Sequence, residues 1–91
     1  MPTLDDVLAP APGVVSRESG DELVVVLPER GKFFVLNGTG AEVFRLVDGR
    51  RTLEETAAAL SGRYDVPPEQ VQADVLAFAG KLLDRDAIAV P

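Results

Sequence analysis

The sequence has no cysteine, no histidine and no tryptophan among its 91 residues. Without cysteine there is no disulfide framework, no thiolate zinc site and no thiol nucleophile. Without histidine the commonest general base and metal ligand is gone. Carboxylates remain, but the one adjacent pair near the start, Asp5-Asp6, reads as solvated charge rather than a metal site. No catalytic residue, no metal ligand and no cofactor is therefore assigned. Long apolar runs are missing too. The longest, Leu23 to Pro28, falls far short of the roughly 20 residues a membrane helix needs. Near the start, Leu4, Val7 and Leu8 are broken by Asp5 and Asp6, with no basic segment ahead of them, so no signal or transit peptide is read there. A cytoplasmic protein that does not enter a membrane is the expectation. Basic clusters are equally scarce. Lys and Arg number 9 against 15 Asp and Glu, a formal charge of −6, and the only adjacent basic pair is Arg50-Arg51. Nucleic acid is disfavoured, because neutralising phosphates takes clustered cations. The same overall charge makes a peptide with some basic character the more compatible ligand.

What is present reads as one small domain, with 46% apolar residues and a length that buries about 60% of the unfolded surface. Residues 1–12 end in Ala9-Pro10-Ala11-Pro12, where alternating proline blocks a helix, and are expected to form a flexible N-terminal tail ahead of a domain at 13–91. Three strands follow: Gly13 to Glu18, the β-branched run Leu23 to Leu27 closed by Pro28, and Lys32 to Leu36. An antiparallel meander of these strands leaves an edge with unpaired backbone groups. The continuous apolar run at 23–27 implies that both its faces are covered, or that a partner completes one.

After residue 36 the period changes from two to 3.6. A first helix is capped at Asn37 or by the box Thr39 to Glu42, and stops at Asp48-Gly49. Thr52-Leu53-Glu54-Glu55 is a cleaner capping box for a second helix, which closes at Ser61-Gly62. Pro68 opens a third and longest helix running to about Arg85, with Phe78, Val71, Leu82, Val75, Ala79, Leu83 and Leu76 in one apolar arc. Ala87 to Val90 forms a short strand or an extended end. The fold class is α+β: a small winged-helix-like domain with a three-stranded antiparallel sheet followed by three helices.

From Leu36-Asn37 onward an ordered set of motifs accumulates: Asp48-Gly49-Arg50-Arg51, then Thr52 to Glu55, then Tyr64-Asp65-Val66-Pro67 leading to Glu69, Val71 and Asp74-Val75. In that order, over about residues 13–90, they resemble the PqqD-like proteins, the recognition elements of ribosomally made, modified peptides. The resemblance implies a non-enzymatic peptide-binding adaptor that captures the leader segment of a precursor peptide. The leader would add as a strand to the third strand, lie beside the third helix, and be presented to a modifying enzyme such as a radical-SAM protein, a cyclase or a leader protease. The sequence departs from the family at Thr56, where an aliphatic residue is usual, and at Asp86, where a small residue, often glycine, is usual.

Two groups of residues are candidates for the peptide site. Lys32, Phe33, Phe34, Val35 and Leu36 would form the docking edge; the plainer reading is a hairpin strand with one Phe in the core. Asp74, Phe78, Lys81 and Arg85, spaced by four, three and four, share one helix face. That face reads equally as a solvated flank, with Phe78 in the core stripe. Gly80 marks either close packing or a close approach of peptide. Four or five added backbone hydrogen bonds give about 2–7 kcal/mol net, against an association cost of about 4 kcal/mol or more. Micromolar binding takes about −8 kcal/mol, so side-chain pockets must supply the surplus. Two other readings stay open from the residues alone: a winged-helix DNA-binding regulator, and a structural subunit of a larger enzyme. Glu69, Asp74 and Asp84 outweighing Lys81 and Arg85 argues against the first.

Overall fold

The computed structural model describes residues 2–91. Strands β2 (Val15–Ser19), β3 (Glu22–Leu27) and β4 (Lys32–Leu36) form an antiparallel sheet in the order β2-β3-β4. Helices α1 (Gly38–Leu46), α2 (Leu53–Ser61) and α3 (Pro68–Asp84) follow. Two short strands, β1 (Ala9–Pro10) and β5 (Ile88–Ala89), pair separately. This is the α+β architecture that the change of period predicts.

Register sorts the apolar run. Leu23, Val25 and Leu27 are buried, while Val24 and Val26 between them are only half-buried. The helices cover one face, and the other carries Val15, Val26 and Phe33 in register across the three strands. The turn from β3 to β4 is a 3₁₀ segment, Pro28–Arg30, closed by Gly31 at φ 62°, a left-handed conformation suited to glycine. The apolar faces of α1, α2 and α3 pack on one another and α1 packs on the sheet's inner face, so Val43 of α1, Leu53 and Leu60 of α2 and Val75 of α3 join Leu23 and Val25 in one core.

The capping box of α2 forms as its sequence requires: Thr52 Oγ1 accepts from the Glu55 amide at 3.1 Å, and Glu55 Oε1 accepts from the Thr52 amide at 2.8 Å. The one proposed for α1 does not form. That helix begins at Gly38, which puts Thr39 inside it, and Glu42 turns instead to Arg45 and Arg63. Asn37 occupies the cap position without a side-chain hydrogen bond. Both departures from the family pattern have physical accounts. Thr56 is fully buried, yet its hydroxyl donates to the Thr52 carbonyl at 3.1 Å, so no polar atom is left unpaired. Asp86 sits at φ 59°, where glycine is the least strained choice. There the Asp86 amide donates to Leu83 O at 3.0 Å and the Ala87 amide to Leu82 O at 2.9 Å, a Schellman closure of α3. The Asp86 carboxylate pairs with Arg30 at 2.6 Å, tying the end of α3 to the β3–β4 turn.

The expected flexible tail is corrected. Leu8 is 2% exposed and belongs to the core. Backbone bonds fasten the segment on both sides: Gly49 N to Leu8 O at 2.8 Å, Leu53 N to Asp6 O and Glu54 N to Leu4 O at 2.9 Å, and Ala11 N to Ala87 O at 3.0 Å. Proline blocks a helix here but permits the two-residue pairing of β1 with β5.

Candidate functional site

Among the described residues β4 pairs only with β3, so its other edge is open. Along an antiparallel edge strand, alternate residues direct both N–H and C=O away from the sheet. Over the five residues of β4 the open edge runs for about 17 Å. Strand alternation sorts the side chains: Phe34 and Leu36 are half-buried against the core, whereas Phe33 is 70% exposed and Val35 is exposed on the opposite face.

The C-terminal half of α3 runs beside this edge and leaves a groove. Its walls are Phe34, Val35 and Leu36 on β4, and Phe78, Lys81, Leu82 and Arg85 on and just after α3, with Asn37 and Gly40 closing one end. A second depression continues it past Phe34 and Arg85 to Lys32, Phe33, Arg30 and Asp84. The structure thus brings together Lys32 to Leu36 with Phe78, Lys81 and Arg85. It does not bring Asp74 there. That side chain lines a separate depression with Thr39, Tyr64, Val66 and Val71, and the first turn of α1 lies between, with Thr39 on one side and Gly40 on the other.

Gly40 explains how Phe78 reaches the groove while still packing on the core. A Cβ at residue 40 would lie 3.1 Å from the Phe78 ring, tighter than most side-chain contacts, so glycine lets the ring rest this close to α1 and a larger residue would push it by a few tenths of an ångström. Neither Gly40 nor Leu82 was read as a groove residue from the sequence, where Gly40 fell inside the Thr39–Glu42 box and Leu82 in the apolar arc of α3. Gly80 has no such role, since a Cβ there would meet only Pro2 at 3.9 Å.

Two cations lie over the two groove rings: Lys81 Nζ is 5.5 Å from the Phe78 centroid and Arg85 Cζ is 5.3 Å from that of Phe34. Among the described residues Lys32, Lys81 and Arg85 take part in no ion pair, whereas Arg30, Arg45, Arg51 and Arg63 are each paired. The local sign is therefore positive on a chain of net charge −6, so the overall charge does not describe the groove. The resolved pKa shifts lie away from the groove. The Arg45 guanidinium hydrogen-bonded to Glu18 holds that carboxyl below the ordinary glutamate range and raises Arg45 in turn. The Arg50 and Arg51 amides do the same for Asp48, which receives them at 3.0 and 3.2 Å. No group of acidic, His or Cys side chains among the described residues is arranged to hold a metal, and no helix is long and apolar enough to cross a membrane.

Comparison with known proteins places this geometry. The profile of the family "Coenzyme PQQ synthesis protein D (PqqD)" matches residues 22–88. A PqqA binding protein of Gluconobacter oxydans is 32% identical over 68 residues, which cover 75% of this chain and 69% of the relative. The solution structure of the PqqD truncation of Methylobacterium extorquens PqqCD, a stand-alone recognition element for ribosomally synthesised and post-translationally modified peptides, superposes with a TM-score of 0.81. It is 28% identical, and the match covers 98% of this chain and 95% of that one. TbiB1, solved in complex with the TbiA(beta) leader peptide, gives a TM-score of 0.81 at 25% identity, over 88% of this chain and 93% of that one.

Proposed function

The chain belongs to the PqqD family, and from that premise we propose that it is a non-enzymatic adaptor that binds the leader segment of a ribosomally made precursor peptide and presents it to a modifying enzyme. The single observation that carries this reading is the juxtaposition of an open strand edge at Lys32–Leu36 with a groove walled by Phe34, Phe78, Lys81 and Arg85. An extended peptide adding to that edge gains main-chain hydrogen bonds, while its alternate side chains turn into the groove. Two apolar side chains seated against Phe34 and Phe78 contribute about 3–6 kcal/mol. Together with about 2–7 kcal/mol from strand pairing, this makes micromolar affinity attainable after the cost of association.

The names of the relatives support the binding half of the reading: one is a PqqA binding protein, and TbiB1 was solved with a leader peptide. The absence of cysteine and histidine from the sequence suits an adaptor whose chemistry belongs to its partner, whether a radical-SAM protein, a cyclase or a protease. Such a partnership belongs to the cytoplasm, where the precursor peptide is made. The binding unit includes the first twelve residues as far as they are described, because Leu8 is part of its core.

The test is to mix the chain with the leader segment of a short precursor peptide encoded beside it, following heat by calorimetry and the peptide by mass spectrometry. Binding with the peptide mass unchanged is the expected result. Conversion of the peptide by this chain alone, or no binding, overturns the proposal.

A further inference from the structure

We infer that the groove selects peptides carrying Asp or Glu next to an apolar residue, the carboxylate being received by Lys81 and Arg85; this rests on the leader-binding reading above and specifies its ligand. The observation is one of local sign. The groove between β4 and α3 has Lys81 and Arg85 in its wall and no carboxylate. Including the depression that continues it, Arg30, Lys32, Lys81 and Arg85 stand against Asp84 and Asp86, and Asp86 is already neutralised by Arg30 at 2.6 Å. All of this lies on a chain whose net charge is −6, so the positive groove is local.

Geometry adds to charge. Arg85 and Lys81 are each held over an aromatic ring at 5.3 and 5.5 Å, which keeps their heads on the groove walls. A guanidinium over a ring face still has its in-plane N–H donors, which match the two oxygens of a carboxylate. A peptide carboxylate reaching Arg85 or Lys81 therefore lies beside Phe34 and Phe78, the surfaces that would take its apolar neighbour. The sign reverses beyond α1, where Asp74 lines the next depression with Thr39, Tyr64 and Val66 and no cation. An acidic residue is favoured only opposite the C-terminal half of α3. A peptide that is basic at that point meets two unpaired like charges.

The experiment is a selection of random 12-residue peptides displayed on phage, carried out on the full chain and on the variant Lys81→Glu/Arg85→Glu. Both substituted side chains are exposed, and the circular dichroism of the variant is compared with that of the parent. On the parent, the selected pool is expected to be enriched in Asp or Glu beside an aliphatic or aromatic residue. On the variant, the enrichment should move to Lys or Arg. Independently of the variant, replacing that acidic residue by Lys in one selected peptide should weaken binding to the parent by about tenfold, and by less at high salt. Selected peptides that perturb the amides of residues 32–36 but show no charge bias, or a basic one, overturn the inference and leave strand addition standing. Peptides that bind without perturbing those amides overturn both.

Discussion

Replacing Leu8 with Ala tests whether the N-terminal segment is part of the folded core. Its side chain is 2% exposed, and its own carbonyl accepts from the Gly49 amide at 2.8 Å. On either side Asp6 and Ala11 are fastened to residues 53 and 87 through the backbone, so the cavity left by truncation cannot close by a shift of the segment. A Leu→Ala change at such a site costs about 2–5 kcal/mol. A chain of 91 residues has a total stability of about 5–14 kcal/mol. A loss near 3 kcal/mol is thus a large fraction of the whole and lowers Tm by roughly 12–24 °C. Urea titration followed by circular dichroism measures it, with Val15→Ala, at a site 52% exposed, as the control expected to stay within about 0.5 kcal/mol. If Leu8→Ala also stays within about 0.5 kcal/mol of the parent, the segment is the mobile lead-in that its prolines suggested, and the packing account is wrong.

Three further outcomes are expected. Gly80→Ala should stabilise the chain by about 0.8–1 kcal/mol through helix propensity, because its Cβ meets only an ordinary contact with Pro2; a lower Tm would show that the site is not open. Gly40→Ala gains similar propensity but pushes on the Phe78 ring at 3.1 Å, a wall of the groove that must give by a few tenths of an ångström. Stability should change by less than about 1 kcal/mol while peptide affinity falls roughly fivefold; calorimetry showing unchanged affinity would refute the placement of the ring. The hydrogen bond from Arg45 depresses the Glu18 carboxyl, so this pair adds stability above the unfolded glutamate pKa of about 4.3 and loses it as pH falls through the lower folded value. Arg45→Gln should return the NMR titration of Glu18 to the ordinary range and remove that part of the acid dependence.

Where local chemistry decided the structure, the sequence was legible. The Thr52–Glu55 box forms as its spacing requires, and the arc of α3 buries Val71, Val75, Ala79 and Leu82 while Leu76, Phe78 and Leu83 at its sides are half-buried, since cap and amphipathic stripe are properties of a single helix. The edge at 32–36 was legible from the short apolar runs and the Pro28–Gly31 turn. The sorting of Phe33 from Phe34 was not. Both are apolar, and only the pairing of Phe34 with buried Val25 turns one inward and leaves the other 70% exposed. Leu8 was missed because its core neighbours come from distant parts of the chain, while the local signals, Asp5-Asp6 and alternating prolines, all point to a loop. Asp74 was grouped with Phe78, Lys81 and Arg85 because one helix face holds all four; that the first turn of α1 divides this face is a tertiary fact. Net charge misled for a related reason. A sum over 91 residues says nothing of how Lys32, Lys81 and Arg85 gather at one groove while Arg45, Arg51 and Arg63 pair with carboxylates elsewhere.

The most direct test of the central claim is amide hydrogen exchange across residues 32–36, followed by NMR with and without a bound leader peptide. In the free chain, alternate amides of β4 are already protected by pairing with β3 and the others face the open edge. Strand addition predicts that the peptide slows exchange at the alternate, outward set, with side-chain shifts at Phe78, Lys81 and Arg85. Tight binding that leaves the exchange of all five amides unchanged would contradict it.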